Sequence, residues 1–474
     1  PNVQPVVQTL QRSQRGKTPI RRAGVGSKPE QKIGALASVA LVFLSVILFC
    51  NVNGIVVMIW EINRAASAFI LAFCLLALAL LAPYIAPSLK AGGVWMLVFY
   101  FVHISLGAAL ATGLPFVAME TVGNRALSYG ASVIIIVTYA AYGYLLLHSG
   151  KRGMRLMQLV FLICCVSTLS GLLGIVYPAW MEITKSKFAV EGRYSGFWAN
   201  PNEIGMQAAL TLALATFLTI RTGRIWYFTV SVICAGLASF WSFSKTAILL
   251  SMALSLAMAF FIQRRGISLR NAVALIVGAG LVLTLISFVR GAAMRSESRV
   301  DLTSGQIRRL EHVYAVLFQG RVDEETTTGR TLALAESLDI WQESPIVGHG
   351  LTTMDRLPVL GLGPHNTFAQ VLGETGLVGF ILLVAALARV AFHARQIGSA
   401  AVQAFIAGAL MTLFGAFMVS HNILDQRNQN ALMGLMYGMA AAAPLAARRP
   451  RPVSARAQLR PVPYRAVPAG IHRV

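Results

Sequence analysis

The residues of this sequence that could do chemistry are few, and most sit on short turns. His365 lies in Gly361-Leu362-Gly363-Pro364-His365-Asn366, where glycine and proline restrict the backbone directly before an apolar stretch. An imidazole with an unperturbed pKa near 6.5 can take a proton from a hydroxyl at neutral pH; the other reading is a solvated histidine beside a helix cap. Arg330 follows Thr326-Thr327-Thr328-Gly329 at the start of a helical pattern. A cation there opposes the helix dipole and favours an anion at the same place; alternatively it pairs with Glu324 or Glu325. Lys245, in Ser242-Phe243-Ser244-Lys245, either snorkels or joins Arg193 and Arg330 as an anion clamp. Arg193 opens a run rich in turn formers and hydrogen-bonding groups, ending in Asn200-Pro201-Asn202. Glu374 lies nine residues after His365, on the opposite face of a continuous helix, among Gly373, Gly376 and Gly379. That setting favours close helix packing and a bond to a neighbouring helix over catalysis. His103 reads as a satisfied polar contact, and His421-Asn422 is uncommitted.

The elements that must position these groups are membrane helices. The chain is 56% hydrophobic and only 12% charged, against about 25% charged in a soluble domain, which excludes a conventional soluble enzyme. Twelve apolar stretches approach the ~20 residues needed to cross a bilayer, at about 33–55, 65–86, 91–113, 130–148, 154–177, 203–220, 225–241, 246–263, 271–289, 367–392, 400–420 and 429–447. Backbone polar groups in hydrocarbon must be satisfied within a segment, so these are helices and the fold class is an all-α polytopic integral membrane protein. With both ends inside, the inside loops carry Lys90, Lys151, Arg152, Arg155, Arg221, Arg224, Arg264, Arg265, Arg270 and Arg395, as the positive-inside rule asks.

The same layout explains a formal net charge of +22. The tail 1–32 holds seven Lys/Arg and one Glu, and the tail 448–474 holds seven Arg and no acid. Both lack periodicity and read as disordered, lipid-facing arms, so a nucleic-acid partner is set aside. A basic tail leading into a full-length span reads as an uncleaved anchor rather than a cleavable signal peptide. The five cysteines fall within or at the end of spans with no metal-ligand spacing, which argues against a disulfide framework or a zinc site.

Two external loops stand out, 178–202 and 290–366. The second is longer than a connection needs, carries eight Arg and ten acids, and is predicted to contain two amphipathic helices. One runs from Ser304 to Phe318; the other presents Leu334, Leu338 and Trp341 and stops before Pro345. A Trp-bearing amphipathic helix suits a membrane interface.

Taken as a set, Gly329-Arg330, Trp341, Pro345 to Gly350, Gly363-Pro364-His365-Asn366 and Glu374-Thr375-Gly376-Leu377-Val378-Gly379 resemble the signature of the bacterial O-antigen ligase and O-antigen polymerase superfamily. Arg193-Tyr194-Ser195-Gly196, Asn200-Pro201-Asn202 and Ser244-Lys245-Thr246 resemble its other recurring elements, with Lys245 standing where an arginine is expected. A lysine supplies charge without the bidentate fork. The resemblance implies a large periplasmic loop, 290–366, between the ninth and tenth of about 12 transmembrane helices in the bacterial inner membrane. It implies transfer of a glycan from undecaprenyl diphosphate on the periplasmic face, with no cofactor, nucleotide or metal. In a ligase the acceptor is a sugar hydroxyl of lipid A-core.

Attack on an anomeric carbon needs a base and stabilisation of the departing diphosphate. No paired carboxylates suggest a divalent metal, so the cations must be side chains. His365 is the base; Arg193, Arg330 and Lys245 hold the donor diphosphate; Asn200, Asn202, Asn366 and Glu374 support the site. The rivals within the class are an O-antigen polymerase and a protein O-oligosaccharyltransferase, which differ in acceptor. A rival of another class is a twelve-helix transporter, against which stand the lack of an internal repeat and the large external loop.

Overall fold

The computed structural model describes residues 34–444 apart from 53, 57–62, 112–118, 174–176, 178–194, 199, 264–303, 322–328, 356, 358–362 and 421–422. The described elements are helical: α1 (Ala35–Phe49), α2 (Asn63–Ser88), α3 (Gly93–Ala111), α4 (Met119–His148), α5 (Gly150–Leu169), α6 (Pro201–Thr222), α7 (Trp226–Trp241), α8 (Lys245–Gln263), α9 (Ser304–Gln319), α10 (Arg330–Glu343), α11 (Thr367–Gln396), α12 (Ala400–Val419) and α13 (Arg427–Ala442). Helices coincide with eleven of the apolar stretches read from the sequence, and α9 and α10 lie where the two amphipathic helices were predicted. The stretch 271–289, both tails and Arg193 fall outside the described residues.

Among the described residues, eight helices are long and apolar enough to cross a membrane. At 15 residues, α1 spans about 22 Å, short of a ~30 Å hydrocarbon core. Large apolar side chains such as Phe101, Leu127, Ile381 and Phe414 are exposed on the outside of the bundle. That inside-out pattern suits a lipid solvent and marks a multi-pass membrane protein. One sequence-based boundary needs correcting. The fourth helix starts at Met119, well before the apolar stretch read as 130–148. The polar first turns of α4 place Arg125 against Asp355 and Asp425, and those ion pairs hold the extension.

The interior is built on α6 and α13. Within α6, 89% of the apolar window is buried, as expected for a helix that is apolar all round; its neighbours are α5, α7, α8 and α12. Gly434 and Gly438 set α13 against α4 so closely that a Cβ would stand 2.4 Å from the Ile136 carbonyl oxygen and 1.9 Å from that of Ala140. Small residues spaced in this way let helices meet without a hydrophobic driving force.

One end of the bundle is tied together by Asn51 Nδ2 donating to the Phe197 carbonyl (2.9 Å) and Thr367 Oγ1 donating to that of Ser420 (2.6 Å). At the other end, the Gly398 amide donates to the Pro444 carbonyl at 3.0 Å.

The longest C-terminal helix is not continuous. Gly376 has φ +61° and ψ −157° within α11, a conformation open to glycine but strained in other residues. The chain after α10 fills the break. The amides of Leu377 and Val378 donate to the carbonyls of Pro345 (2.9 Å) and Ile346 (3.2 Å), while His349 and Gly350 donate to those of Gly373 (2.8 Å) and Glu374 (2.9 Å). A Cβ on Gly376 would lie 2.3 Å from the Ile346 oxygen. Gly376→Ala is therefore expected to cost about 2–4 kcal/mol, read as a lower unfolding midpoint in detergent. Gly123→Ala, where a Cβ meets nothing within 4 Å, should change the midpoint little; equal midpoints for the two variants would refute this account of the break.

Candidate functional site

Helix starts assemble the polar groups at the end of the bundle that carries Lys245. Asn200 caps α6, its Oδ1 accepting from the Asn202 amide at 2.9 Å, with Pro201 following. The Asn202 side chain turns to the next hairpin, where its Oδ1 accepts from Ser244 Oγ at 2.6 Å. Ser244 Oγ also accepts from the Ala247 amide at 3.2 Å, so the two turns are fixed to one another at the start of α8. The segment leading to Asn200 is held from behind. Gly196 has φ +57° and lies so near Ser170 that a Cβ would fall 2.4 Å from its Oγ, and the Phe197 amide donates to that oxygen at 3.1 Å.

Lys245 is the first residue of α8, and its Nζ lies 3.0 Å from Nδ1 of His312 on α9. An ammonium has only donors, so this ring nitrogen accepts and His312 is neutral in the contact. Arg330, the first residue of α10, donates from Nη1 to Thr246 Oγ1 at 3.2 Å. Its helix has no side-chain cap, because the N-cap position is Gly329 at φ +75°. Burial, and after it the charge of the Arg309 guanidinium, push the Arg330 pKa below its ordinary value. Lys245, Arg309, His312 and Arg330 thus converge from three helices, and such a cluster favours an anion with several acceptor oxygens.

His365 precedes α11 with φ +49°, a left-handed conformation uncommon for a residue with a Cβ. Buried Gly363 and Pro364 stand before it. Asn366 follows as the α11 cap, its Oδ1 accepting from the Ala369 amide at 3.1 Å. Beside this turn runs an apolar groove of about 340 Å³ whose lining includes Leu334, Leu338, Asn366, Phe368, Leu372 and Phe414. Leu334 is one turn along α10 from Arg330, so the groove connects the cation cluster to the turn bearing His365.

Glu374 lies deeper. It is fully buried, its Oε2 is 3.1 Å from His103 Nε2, and its Oε1 accepts from the Thr352 amide (3.1 Å) and Gln370 Nε2 (3.2 Å). His103 is also fully buried and sits 2.8 Å through Nδ1 from Thr375 Oγ1. This knot joins α3, the chain after α10 and α11. Above it Arg125 pairs with Asp355 and Asp425. Burial raises the pKa of both carboxyls while the guanidinium pulls it back down. Among the described residues no group of three His, Cys, Asp or Glu side chains is placed to hold a metal.

Of the residues singled out in the sequence, Asn200, Asn202, Lys245 and Arg330 come together, Asn366 and His365 adjoin them along the groove, and Glu374 sits in the interior. Arg193 is not described. His312 and Arg309 escaped the sequence reading, although their i, i+3 spacing on one amphipathic helix was the available signal. Arg125, Asp355 and Asp425 gave none, because their pairing joins residues hundreds of positions apart.

Residues 230–384 match the family model described as O-antigen ligase. A comparison with curated proteins gives no significant match. The matched segment contains Lys245, His312, Arg330, His365 and Glu374.

The caps give a test of structural against chemical roles. Asn200→Ala and Asn366→Ala should each cost about 1 kcal/mol of stability, measured by thermal unfolding, and Asn366→Asp should restore the cap. No shift in midpoint for either alanine variant would remove the capping assignment.

Proposed function

We propose, from the match of residues 230–384 to the family model described as O-antigen ligase, that the chain is an O-antigen ligase, a membrane glycosyltransferase-type enzyme. It transfers O-antigen polysaccharide from undecaprenyl diphosphate to a sugar hydroxyl of lipid A-core, at the periplasmic face of the bacterial inner membrane. In this reading about twelve helices cross the membrane and both termini are cytoplasmic. The observation that carries it is the convergence of Lys245, Arg309, His312 and Arg330 beside the turn bearing His365, with an apolar groove between them.

Each part answers a need of the reaction. The donor is an amphiphile whose diphosphate must be held at the water boundary while its polyprenyl chain stays in an apolar phase. Lys245 and Arg330, with Arg193, hold the diphosphate and offset the charge that grows on it as the glycosidic bond breaks. The groove lined by Leu334, Leu338 and Phe368 takes the first isoprene units. His365 accepts the proton of the attacking sugar hydroxyl. Attack from the face opposite the diphosphate, in one displacement, inverts the anomeric centre. These side chains supply the base and the cations, so the step is written without a metal. The left-handed backbone at His365 supports this reading, since strain of that kind is kept where the surrounding structure fixes a functional side chain.

His365→Ala should lower transfer by a factor of at least about 10² while the protein still folds. His365→Asn, which keeps a residue tolerant of φ > 0, should be as inactive and more stable. Lipopolysaccharide gels of a null strain complemented with each variant read the outcome. Long-chain lipopolysaccharide at the wild-type level from either variant removes the base. Arg330→Ala should lower kcat/KM for the lipid-linked donor by about tenfold to a hundredfold; an unchanged value refutes the clamp. The null strain separates the acceptors: core lipid without long chains, together with carrier-linked polymer, identifies a ligase, and core carrying a single repeat identifies a polymerase.

A further inference from the structure

A second polar patch lies at the opposite end of the bundle. Starting from Pro201 at the candidate site, α6 runs 22 residues, about 33 Å, and ends at Arg221 and Thr222. There its last turn meets the tight hairpin between α4 and α5. The three elements enclose an open cavity of about 380 Å³. Its apolar lining includes Leu146, Leu147, Met154 and Phe217, and its cations are Lys151 and Arg221. The cavity is therefore two-sided, with charge at its rim and hydrocarbon along its floor.

The charge there is of one sign. Lys151, Arg152 and Arg155 occupy the first turns of α5, and Arg221 and Arg224 follow at the end of α6. The stretches 141–160 and 211–230 contain no Asp or Glu. The start of α5 has no acidic residue in its first turn and no side-chain cap, since Ser149 Oγ donates back to the Leu145 carbonyl at 2.7 Å. Lys151 and Arg221 are both exposed. Exposed Trp226, four residues beyond Thr222, stacks on Tyr227 at 3.8 Å between ring centroids. A Trp/Tyr pair next to the cations marks the level of the lipid headgroups.

We propose that this cavity binds an anionic glycerophospholipid, with Lys151 and Arg221 on the headgroup phosphate and an acyl chain along Leu147, Met154 and Phe217. Cationic pockets between membrane helices recognise phosphate headgroups in this way, and the apolar floor distinguishes a lipid from a soluble anion. The assignment does not depend on the reaction at the other end of the molecule.

The test uses the purified full-length protein in detergent, with retention of phosphatidylglycerol or phosphatidylcholine followed by native mass spectrometry. Wild type should retain phosphatidylglycerol and release phosphatidylcholine. The double variant Lys151→Gln/Arg221→Gln should lose phosphatidylglycerol retention by about tenfold or more. Arg152→Gln/Arg155→Gln, just outside the lining, should keep it. Both pairs are surface changes, and matching unfolding midpoints verify their folds. Equal retention in wild type and Lys151→Gln/Arg221→Gln overturns the site. An equal loss in Arg152→Gln/Arg155→Gln overturns it in favour of diffuse surface charge. Displacement of the bound lipid by millimolar inorganic phosphate shows a phosphate site and overturns the lipid assignment.

Discussion

A helix within a bilayer cannot leave amides and carbonyls without partners, because hydrocarbon offers none and each missing bond costs several kcal/mol. The turn at Gly376 breaks α11 and would expose such groups. The chain from Pro345 to Gly350 supplies what the break removes, giving two carbonyls to Leu377 and Val378 and taking two from Gly373 and Glu374. The fit is steric as well as electrostatic. A Cβ on Gly348 would stand 2.5 Å from the Thr375 nitrogen, and one on Gly350 an equal 2.5 Å from the Ala111 nitrogen. Backbone thus lies on backbone between α3 and α11, where no larger residue fits.

The candidate site depends on this insertion. Because the inserted chain continues directly from α10, it sets the position of α10 along α11, and through it the place of Arg330 beside Thr246. The Leu351 amide continues the contact by donating to the Gly107 carbonyl at 2.9 Å. The Glu374–His103 contact then closes the interior side. Arg125, held between Asp355 and Asp425, ties the same loop to the connection before α13. Parts of the chain far apart in sequence are fixed to one another before any substrate arrives, the kind of preorganisation that positioning a base against a leaving group requires.

Much of this was legible in the sequence, and the reasons are local. Apolar length alone located the membrane helices, since a span must satisfy its own backbone. Asn200-Pro201 and Asn366 declared helix starts through residue types that cap. The amphipathic period of α9 could be read because one face of that helix is polar, whereas α10 is only weakly amphipathic and buries Ala333 and Ser337 rather than the face of Leu334, Leu338 and Trp341. What stayed hidden was non-local. Gly376 announced close packing but not a broken helix, because a glycine within an apolar run is compatible with both. Arg125 lies outside the apolar stretch read as 130–148, and its acidic partners are separated from it by 230 and 300 residues. Lys245 could be singled out as a cation on a turn, yet nothing in its neighbourhood pointed to His312.

The inserted segment also constrains the order of folding. Its partners are on α11, which follows it in the chain, and on α3, which is made long before it. The stretch from Pro345 to Leu351 therefore cannot complete its bonds when it leaves the ribosome. It must wait until α11 is in the bilayer and then lodge in the break of a helix already surrounded by lipid and neighbours. Excised from the membrane helices, the same stretch would lose its backbone partners on α11 and α3. The part of the molecule that carries Arg330 is in this sense a joint between two stages of membrane insertion rather than a domain hung on a finished bundle.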